Sequence, residues 1–389
     1  MRRIAGARRA GWEARVEGLG LTYHTGGRPQ AEAGGGLCWE EGAHWAFTAT
    51  EVDAIEDAAA ELHRLALQAL DHLTGAGRRH LEGSFGLPPW FADHVARSWA
   101  RRDPSLMGRM DLAFDPATGA VKLLEYNADT PTLAIETALV QWDWLEARGE
   151  AAADQFNSLH EKLLARFQAL APRMAGAPLH LMAFRSAPEE WQHATYFADL
   201  AQQAGIAAIQ LDIAEVGWDG ARFLDLEGRP IRFLHKLYPW EWVVTDAFGP
   251  HLAADSCGVL EPPWKALLSD KAILAILWRL FPGHPNLLEA RLDEPDAAGD
   301  WVRKPCLGRE GANIALRRDG RTLLETPGAY GGAAARWLWQ RRAALPSDGG
   351  LHAVIGAWIV DEAPAGMILR EDASPVIRDS SPVVPHLFR

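Results

Sequence analysis

Cysteine is scarce: the three present, Cys38, Cys257 and Cys306, are odd in number and far apart, which argues against a disulfide framework or a thiolate zinc site and fits a reducing cytoplasm. The fourteen histidines show no HxxxH spacing and have no CxxC company, so a local metal-binding signature is missing. No apolar run approaches the roughly 18 residues of a membrane span. The longest, Ala272–Phe281, has Trp278 and Arg279 inside it. Neither G-x-x-x-x-G-K-[ST] nor G-x-G-x-x-G occurs, which sets aside the P-loop and the Rossmann fingerprint. Positive charge is in deficit: 39 Lys and Arg stand against 51 Asp and Glu, a net charge of −12. That balance disfavours nucleic acid and anionic membranes as partners and tolerates a cationic small substrate. The opening arginines, Arg2, Arg3, Arg8 and Arg9, precede neither an apolar core nor a small-residue cleavage site, so they read as a solvated terminus and the chain as cytoplasmic.

What is present is ordinary globular composition, 48% hydrophobic and 23% charged over 389 residues, enough for two or three subdomains sharing a core. Strand and helix patterns alternate along the chain without a linker or a repeat, which predicts one integrated α/β unit. Leu37–Thr48 reads as a strand and Glu51–Leu73 as a helix, followed later by a helix at Gln155–Leu170, a strand at Leu179–Phe184, a helix at Glu189–Ala204 and a strand at Ala207–Leu211. The many tryptophans fall mostly at apolar positions and read as core.

Chemistry concentrates in a hairpin. Asp115-Pro116-Ala117-Thr118-Gly119 is a turn between two strands, Arg109–Phe114 and Ala120–Asn127. With an even register Arg109, Asp111, Glu125 and Asn127 share a face, since side chains alternate along a strand. Two carboxylates and an amide carbonyl are the hard donors that Mg²⁺ takes when phosphates and waters complete its shell. A solvated hairpin face is the competing reading. Leu123, expected between Val121 and Glu125 on that same face, argues instead for a half-buried surface where an unpaired carboxylate is costly. Thr130 and Pro131 then predict the start of a helix with Leu133, Ile135, Leu139, Trp142 and Leu145 as its buried stripe, its free N–H groups aimed at an anion.

Two lysines follow. Ser269 and Asp270 predict a cap for a helix running to Phe281, with Lys271 in its first turn, where a cation opposes the helix dipole and an anionic ligand would help. Trp301–Pro305 reads as a strand, Cys306–Asn313 as a flexible loop containing Gly308, Arg309 and Gly311, and Ile314–Arg317 as the returning strand. A strand, glycine loop and strand with Lys304 just ahead of the loop is an arrangement that covers phosphates, although a plain surface hairpin has the same local signature.

Several of these pieces, in this order, resemble the synthetase domain of the glutathionylspermidine synthase family and its amidase-free bacterial relatives. They are Arg109-x-Asp111, Leu123 to Thr132, Gln141-Trp142-x-Trp144-Leu145, Asp270-Lys271-Ala272-Ile273, Phe281-Pro282-Gly283-His284, Arg303-Lys304-Pro305 with Gly308 to Ile314, Ile355 to Val360, Gly366 to Asp372 and Val384-Pro385-His386. The resemblance spans essentially the whole chain. It implies an α/β, circularly permuted ATP-grasp-type fold with a glycine-rich lid loop, in a single synthetase unit, 1–389, with a lid subdomain near 265–345 and no amidase domain. It also implies ATP and Mg²⁺ as cofactors, with Asp111, Glu125 and Asn127 on the metal, and Lys271, Lys304, Gly308 and Gly311 on the nucleotide. By the same resemblance Arg109, Arg309 and Arg370 stabilise the reacting phosphoryl group, Thr130 and Thr132 contact the acid, and Glu189 and Glu190 the amine. The two glutamates equally suit plain helix-start electrostatics.

The activity implied is ATP-dependent acid–amine ligation through an acyl phosphate, with glutathione and a polyamine such as spermidine as one substrate pair. A peptide or amino acid as acid or amine is the alternative, and a non-catalytic nucleotide-binding module is a third. The expected partners are small molecules, with no nucleic acid and no membrane; the oligomeric state is open.

Overall fold

The computed structural model describes residues 1–25 and 38–389. In chain order the elements used below are β1 (Arg2–Ala5), β2 (Ala43–Phe47), α1 (Ala49–Thr74), β3 (Met107–Asp115), β4 (Ala120–Asn127), α2 (Gln141–Arg148), α3 (Leu159–Met174), β5 (Leu179–Ala183), α4 (Pro188–Gln203), β6 (Ala208–Asp212), β7 (Phe233–Lys236) and β8 (Gly258–Leu260). After α5 (Ala272–Leu280) come only strands: β9 (Ala290–Arg291), β10 (Asp300–Pro305), β11 (Ala315–Arg318), β12 (Arg321–Glu325), β13 (Trp337–Arg341), β14 (Leu351–Val360), β15 (Ala363–Asp372), β16 (Val383–Val384) and β17 (His386–Phe388).

Three sheets frame the site. The central antiparallel one runs β16-β15-β14-β3-β4, a parallel one runs β8-β7-β5-β6, and an antiparallel one runs β9-β13-β10-β11-β12. Helix α1 starts from a capping box between Thr48 and Glu51, and its buried stripe of Ile55, Leu62, Leu65 and Leu70 joins one core with Met110, Leu112, Phe114, Val121, Leu123 and Tyr126 of the hairpin. That core covers one face of the central sheet. The opposite face carries the polar residues.

The hairpin pairs Arg109 with Asn127 and Asp111 with Glu125, then slips by one residue so that Leu112 pairs with Leu123. This β-bulge at Leu124 corrects the parity argument. Val121 and Leu123 lie on the core face with Tyr126, whereas Glu125 and Asn127 turn to the polar face. A bulge re-aims side chains in just this way, and the extra residue leaves a carbonyl outside the ladder. The Leu124 carbonyl accepts from Lys304 Nζ at 3.0 Å.

Other boundaries also moved. The strand expected at Leu37–Thr48 is confined to Ala43–Phe47, with Leu37 outside the described residues, and the helix expected from Gln155 begins at Leu159. Thr130 caps no helix: Leu133 has φ +78°, helical structure starts at Ala134, and the Ala134 N–H donates to His193 Nε2 instead of facing an anion. A π-helical turn at Glu136–Val140 then rotates the stripe, burying Trp144 and leaving Trp142 39% exposed. The cap position of α5 is Lys271 itself, with no side-chain cap bond, so Lys271 does not sit in the first turn; Asp270, one residue further out, accepts from the Ala272 N–H, and Ser269 Oγ accepts from the Ala128 and Asp129 N–H groups. The alternation of strand and helix ends at Leu280. No helix of the described residues is long and apolar enough to cross a membrane.

Candidate active site

Seven of the singled-out side chains converge on the polar face of the central sheet. Asp111 accepts from Arg109 Nε at 3.1 Å through one oxygen and from Arg370 Nη2 at 2.6 Å through the other. Glu125 Oε2 pairs with Lys271 Nζ at 3.2 Å, and its Oε1 accepts from Asn127 Nδ2 at 3.3 Å. Lys304, reaching across from β10, is buried against Leu124 O and Gln340 Oε1. Four cations therefore surround two carboxylates, leaving surplus positive charge where water is scarce. Burial alone would raise the Glu125 carboxyl, but Lys271, Lys304 and Arg370 outweigh it and hold it well below the usual range. Burial and the neighbouring Lys271 bring Lys304 down to about 8, against the pull of Glu125 and Asp111.

Close packing sets these positions. A Cβ on Gly356 would lie 2.7 Å from Arg109 Cδ, so the glycine lets the arginine cross the sheet to Asp111. Gly311 has φ +68°, and a Cβ there would come 2.4 Å from the Ile377 carbonyl, so the loop between β10 and β11 rests directly on the segment after β15. Gly308 contributes its carbonyl, which accepts from Lys271 Nζ at 2.7 Å. Polar contacts hold the loop: Lys271 Nζ donates to the Gly308 carbonyl, the Thr326 hydroxyl to the Gly311 carbonyl, and Arg309 of the loop pairs with Glu241.

A cavity of about 520 Å³ opens from the charged cluster. Asp111, Glu125, Lys304 and Arg370 line it together with the apolar Val302, Ile314, Leu316, Leu345 and Val354, and Arg341 to Ala344 edge it. None of these apolar residues stood out in the sequence, because cavity residues on ordinary strands look like core.

On the other side of Arg109 the site turns acidic. Arg109 Nη1 donates to the Thr132 carbonyl at 2.6 Å, and Thr132 stands beside Glu189 at the start of α4. Burial raises the Glu189 carboxyl, opposed by Thr132 and by Arg109 and Arg370. Burial likewise raises Glu190 to about 7. Thr130 lies one step out, its Oγ1 accepting from Arg309 at 3.3 Å.

Glu136 was not singled out, although a carboxylate inside Ile135-Glu136-Thr137-Ala138 is the signal that could have found it. It is fully buried, accepts from Tyr23 OH at 3.1 Å through Oε1, and has no partner for Oε2 among the described residues. His193 cannot supply one: Nδ1 faces the Glu189 carbonyl, so it carries the proton, and Nε2 accepts from Ala134. Burial, then Glu189, push Glu136 up to about 8. The folded chain thus holds a proton that the unfolded chain releases near 4.5, so stability falls as pH rises between these values. Glu136→Gln is expected to stabilise the protein at pH 8, by on the order of 3 kcal/mol, with the difference vanishing near pH 4 in thermal melts. Equal destabilisation at both pH values would show an ionised, paired Glu136 instead.

Among the described residues no cluster of three His, Cys, Asp or Glu exists, and the hairpin offers two carboxylates and an amide. The glutathionylspermidine synthase preATP-grasp family matches residues 3–389. A Haemophilus influenzae protein carrying the provisional name acid–amine ligase is 36% identical over 363 residues, covering 90% of this chain and 91% of that one. Trypanothione synthetase of Crithidia fasciculata is 27% identical over 333 residues, 77% of this chain but 49% of the relative. The bifunctional glutathionylspermidine synthetase/amidase of Escherichia coli is 28% identical over 372 residues, 88% of this chain and 58% of the relative. Among solved structures, a glutathione synthetase-like effector from Globodera pallida superposes with a TM-score of 0.59 at 9% identity, covering 97% of this chain and 96% of that one, a likeness of fold.

Proposed function

We propose that this chain, which belongs to the glutathionylspermidine synthase preATP-grasp family, is an ATP-dependent ligase that joins a carboxylic acid to an amine through an acyl phosphate. The observation that carries the reading is the buried cluster of Arg109, Lys271, Lys304 and Arg370 around Asp111 and Glu125, which opens into a cavity that apolar side chains also line. A polyanion answers that surplus charge. The names of the relatives, an acid–amine ligase and two synthetases, support the same chemistry.

Phosphoryl transfer needs positioning and charge neutralisation more than covalent help. Lys271 and Lys304 hold the nucleotide phosphates, Gly308 and Gly311 bring the loop backbone close to them, and Arg109, Arg309 and Arg370 steady the acid and the group it receives. Thr130 and Thr132 contact the acid. Asp111, Glu125 and the Asn127 amide are hard oxygen donors on one face and fit Mg²⁺, which when bound would neutralise phosphate charge. Carboxylates preceding lysines along the chain support a circularly permuted ATP-grasp arrangement in a single unit, 1–389, with 265–345 as its lid subdomain and the glycine loop as its cover.

The amine is best a cation, because Glu189 lies beside Arg109 and has Glu136 on one side and Glu190 on the other, all three carboxyls raised by burial. An arriving ammonium group ionises them, and one can then take the proton that the amine loses before attack. Glutathione with a polyamine is one pair consistent with this, and a peptide or amino acid with a basic group is the other. Equilibrium binding of Mg·AMP-PNP tests the nucleotide assignment: Lys304→Met is expected to weaken it by roughly 100-fold, the scale of a hydrogen bond to a charged group. Undiminished binding would move the phosphates elsewhere.

A further inference from the structure

A second cavity, of about 570 Å³, shares no lining residue with the first and is bounded by α5, by β9 with the residues after it, and by the start of β13. Its lining holds three arginines and one carboxylate: Arg279, Arg291, Arg336 and Asp293. Arg279 sets its character. Its Nη2 donates to His80 Nε2 at 3.0 Å, and no carboxylate among the described residues pairs with it. An arginine only donates, so Nε2 is the bare nitrogen of that ring, and Nδ1 carries the proton and gives it to Ser84 Oγ at 2.9 Å. The Ser84 hydroxyl, which also lines the cavity, keeps its own proton to donate and has no acceptor among the described residues. Arg336 donates to the Ser84 carbonyl at 2.8 Å through Nη1 and pairs with the buried Asp270 through Nη2, while Arg291 pairs with Glu289 at 3.0 Å. Donors outnumber acceptors around this cavity, which is the arrangement that charge-assisted binding of an anion uses.

We propose that Arg279, Arg291, Arg336 and Ser84 form a second anion site, for a compact phosphate dianion, and that its occupation opposes nucleotide binding through Asp270. The site itself goes beyond the ligase reading; only the coupling rests on it. Asp270 joins the two places. It receives Arg336, accepts from the Ala272 N–H at 2.8 Å and lies within the field of Lys271. The Lys271 N–H donates to the Cys306 carbonyl at 2.9 Å, and the Cys306 N–H to the Arg336 carbonyl at 2.8 Å, so the backbone ties the same three residues together. A phosphate that engages Arg336 leaves the buried Asp270 short of a cation, and Lys271 is the next one at hand. Lys271 drawn toward Asp270 is lost to Glu125 and to the nucleotide phosphates, so the two anions bind with negative coupling. Ligation supplies such an anion, because each acyl phosphate consumed releases one phosphate.

Calorimetric titration of the full chain with Mg·AMP-PNP at rising inorganic phosphate, with ionic strength and free Mg²⁺ held constant, tests the coupling. Nucleotide affinity is expected to fall about fivefold and then level off, the low end of an allosteric coupling. Arg279→Gln and, separately, Arg291→Gln should move the midpoint of that fall to roughly fivefold higher phosphate, the upper range of an exposed ion pair. Methyl phosphate in place of phosphate distinguishes the source: whichever binds tighter marks the ligand as a phosphate ester or as free phosphate. A fall that grows in proportion to phosphate without levelling off is competition at the active site and overturns the proposal. Unchanged nucleotide affinity, or the wild-type midpoint in both folded variants, overturns it too. Phosphorus NMR of phosphate alone reads the site without nucleotide: line broadening by the wild type that Arg279→Gln reduces supports the site even if no Mg·AMP-PNP binds and the ligase reading fails, and equal broadening by the two proteins refutes it.

Discussion

Glu125→Ala is expected to abolish turnover with every acid and every amine, by about a thousandfold or more, the scale of losing one preorganised charge from a dry site. The carboxylate has two roles. It holds Lys271 Nζ at 3.2 Å and, opposite Asp111 in the hairpin register, is one of the hard donors proposed for a metal. Without it the lysines and Arg370 face one another with a single carboxylate between them, so the phosphate end loses both its metal ligand and its order. Because the defect lies in phosphoryl transfer, acid-dependent ADP formation should vanish even without amine. Retained ADP formation in this variant would end the metal-site assignment.

Glu189→Gln is expected to raise the amine KM by about 100-fold and to lower kcat, while leaving acid-dependent ADP formation without amine intact, if the wild type shows it. The reason is position. Glu189 shares Thr132 and Arg109 with the acid end, so it faces the place where amine and activated acid meet. Glu190, further out, should raise the amine KM only about tenfold when changed to glutamine. Since Glu190 is raised to about 7, it is neutral below that pH and attracts no cation, so amine affinity should strengthen as pH climbs from 6 to 8. Glu190→Gln should flatten that dependence. A Glu190→Gln variant matching the wild type in both respects would return the residue to helix-start electrostatics.

The hairpin, α1, α4 and the strand–loop–strand around Lys304 were legible because turn residues, helical periodicity and glycine are local signals. The face-sharing of Arg109, Asp111, Glu125 and Asn127 was legible too, but for a partly mistaken reason. Leu123 does not share their face, and only the bulge at Leu124 reconciles its burial with theirs. A one-residue slip depends on what the partner strand and Lys304 offer, which no single strand announces. The start at Ala134 escaped notice for a similar reason: its N–H is met by His193, from a distant helix. Glu241 was invisible because its meaning comes from Arg309, far away along the chain, and Glu136, marked only by its apolar neighbours, takes its charge environment from the distant Glu189.

The most direct test of the central claim is mass spectrometry of the products when the protein, Mg·ATP, a candidate acid and a candidate amine are combined, with glutathione and spermidine first and basic peptides and amino acids next. The account predicts a new amide, the mass of acid plus amine less one water, formed with one ADP and one phosphate for each bond and absent when any one reactant is left out. AMP and pyrophosphate in place of ADP, or ADP release that no pair couples to a condensed product, would contradict it.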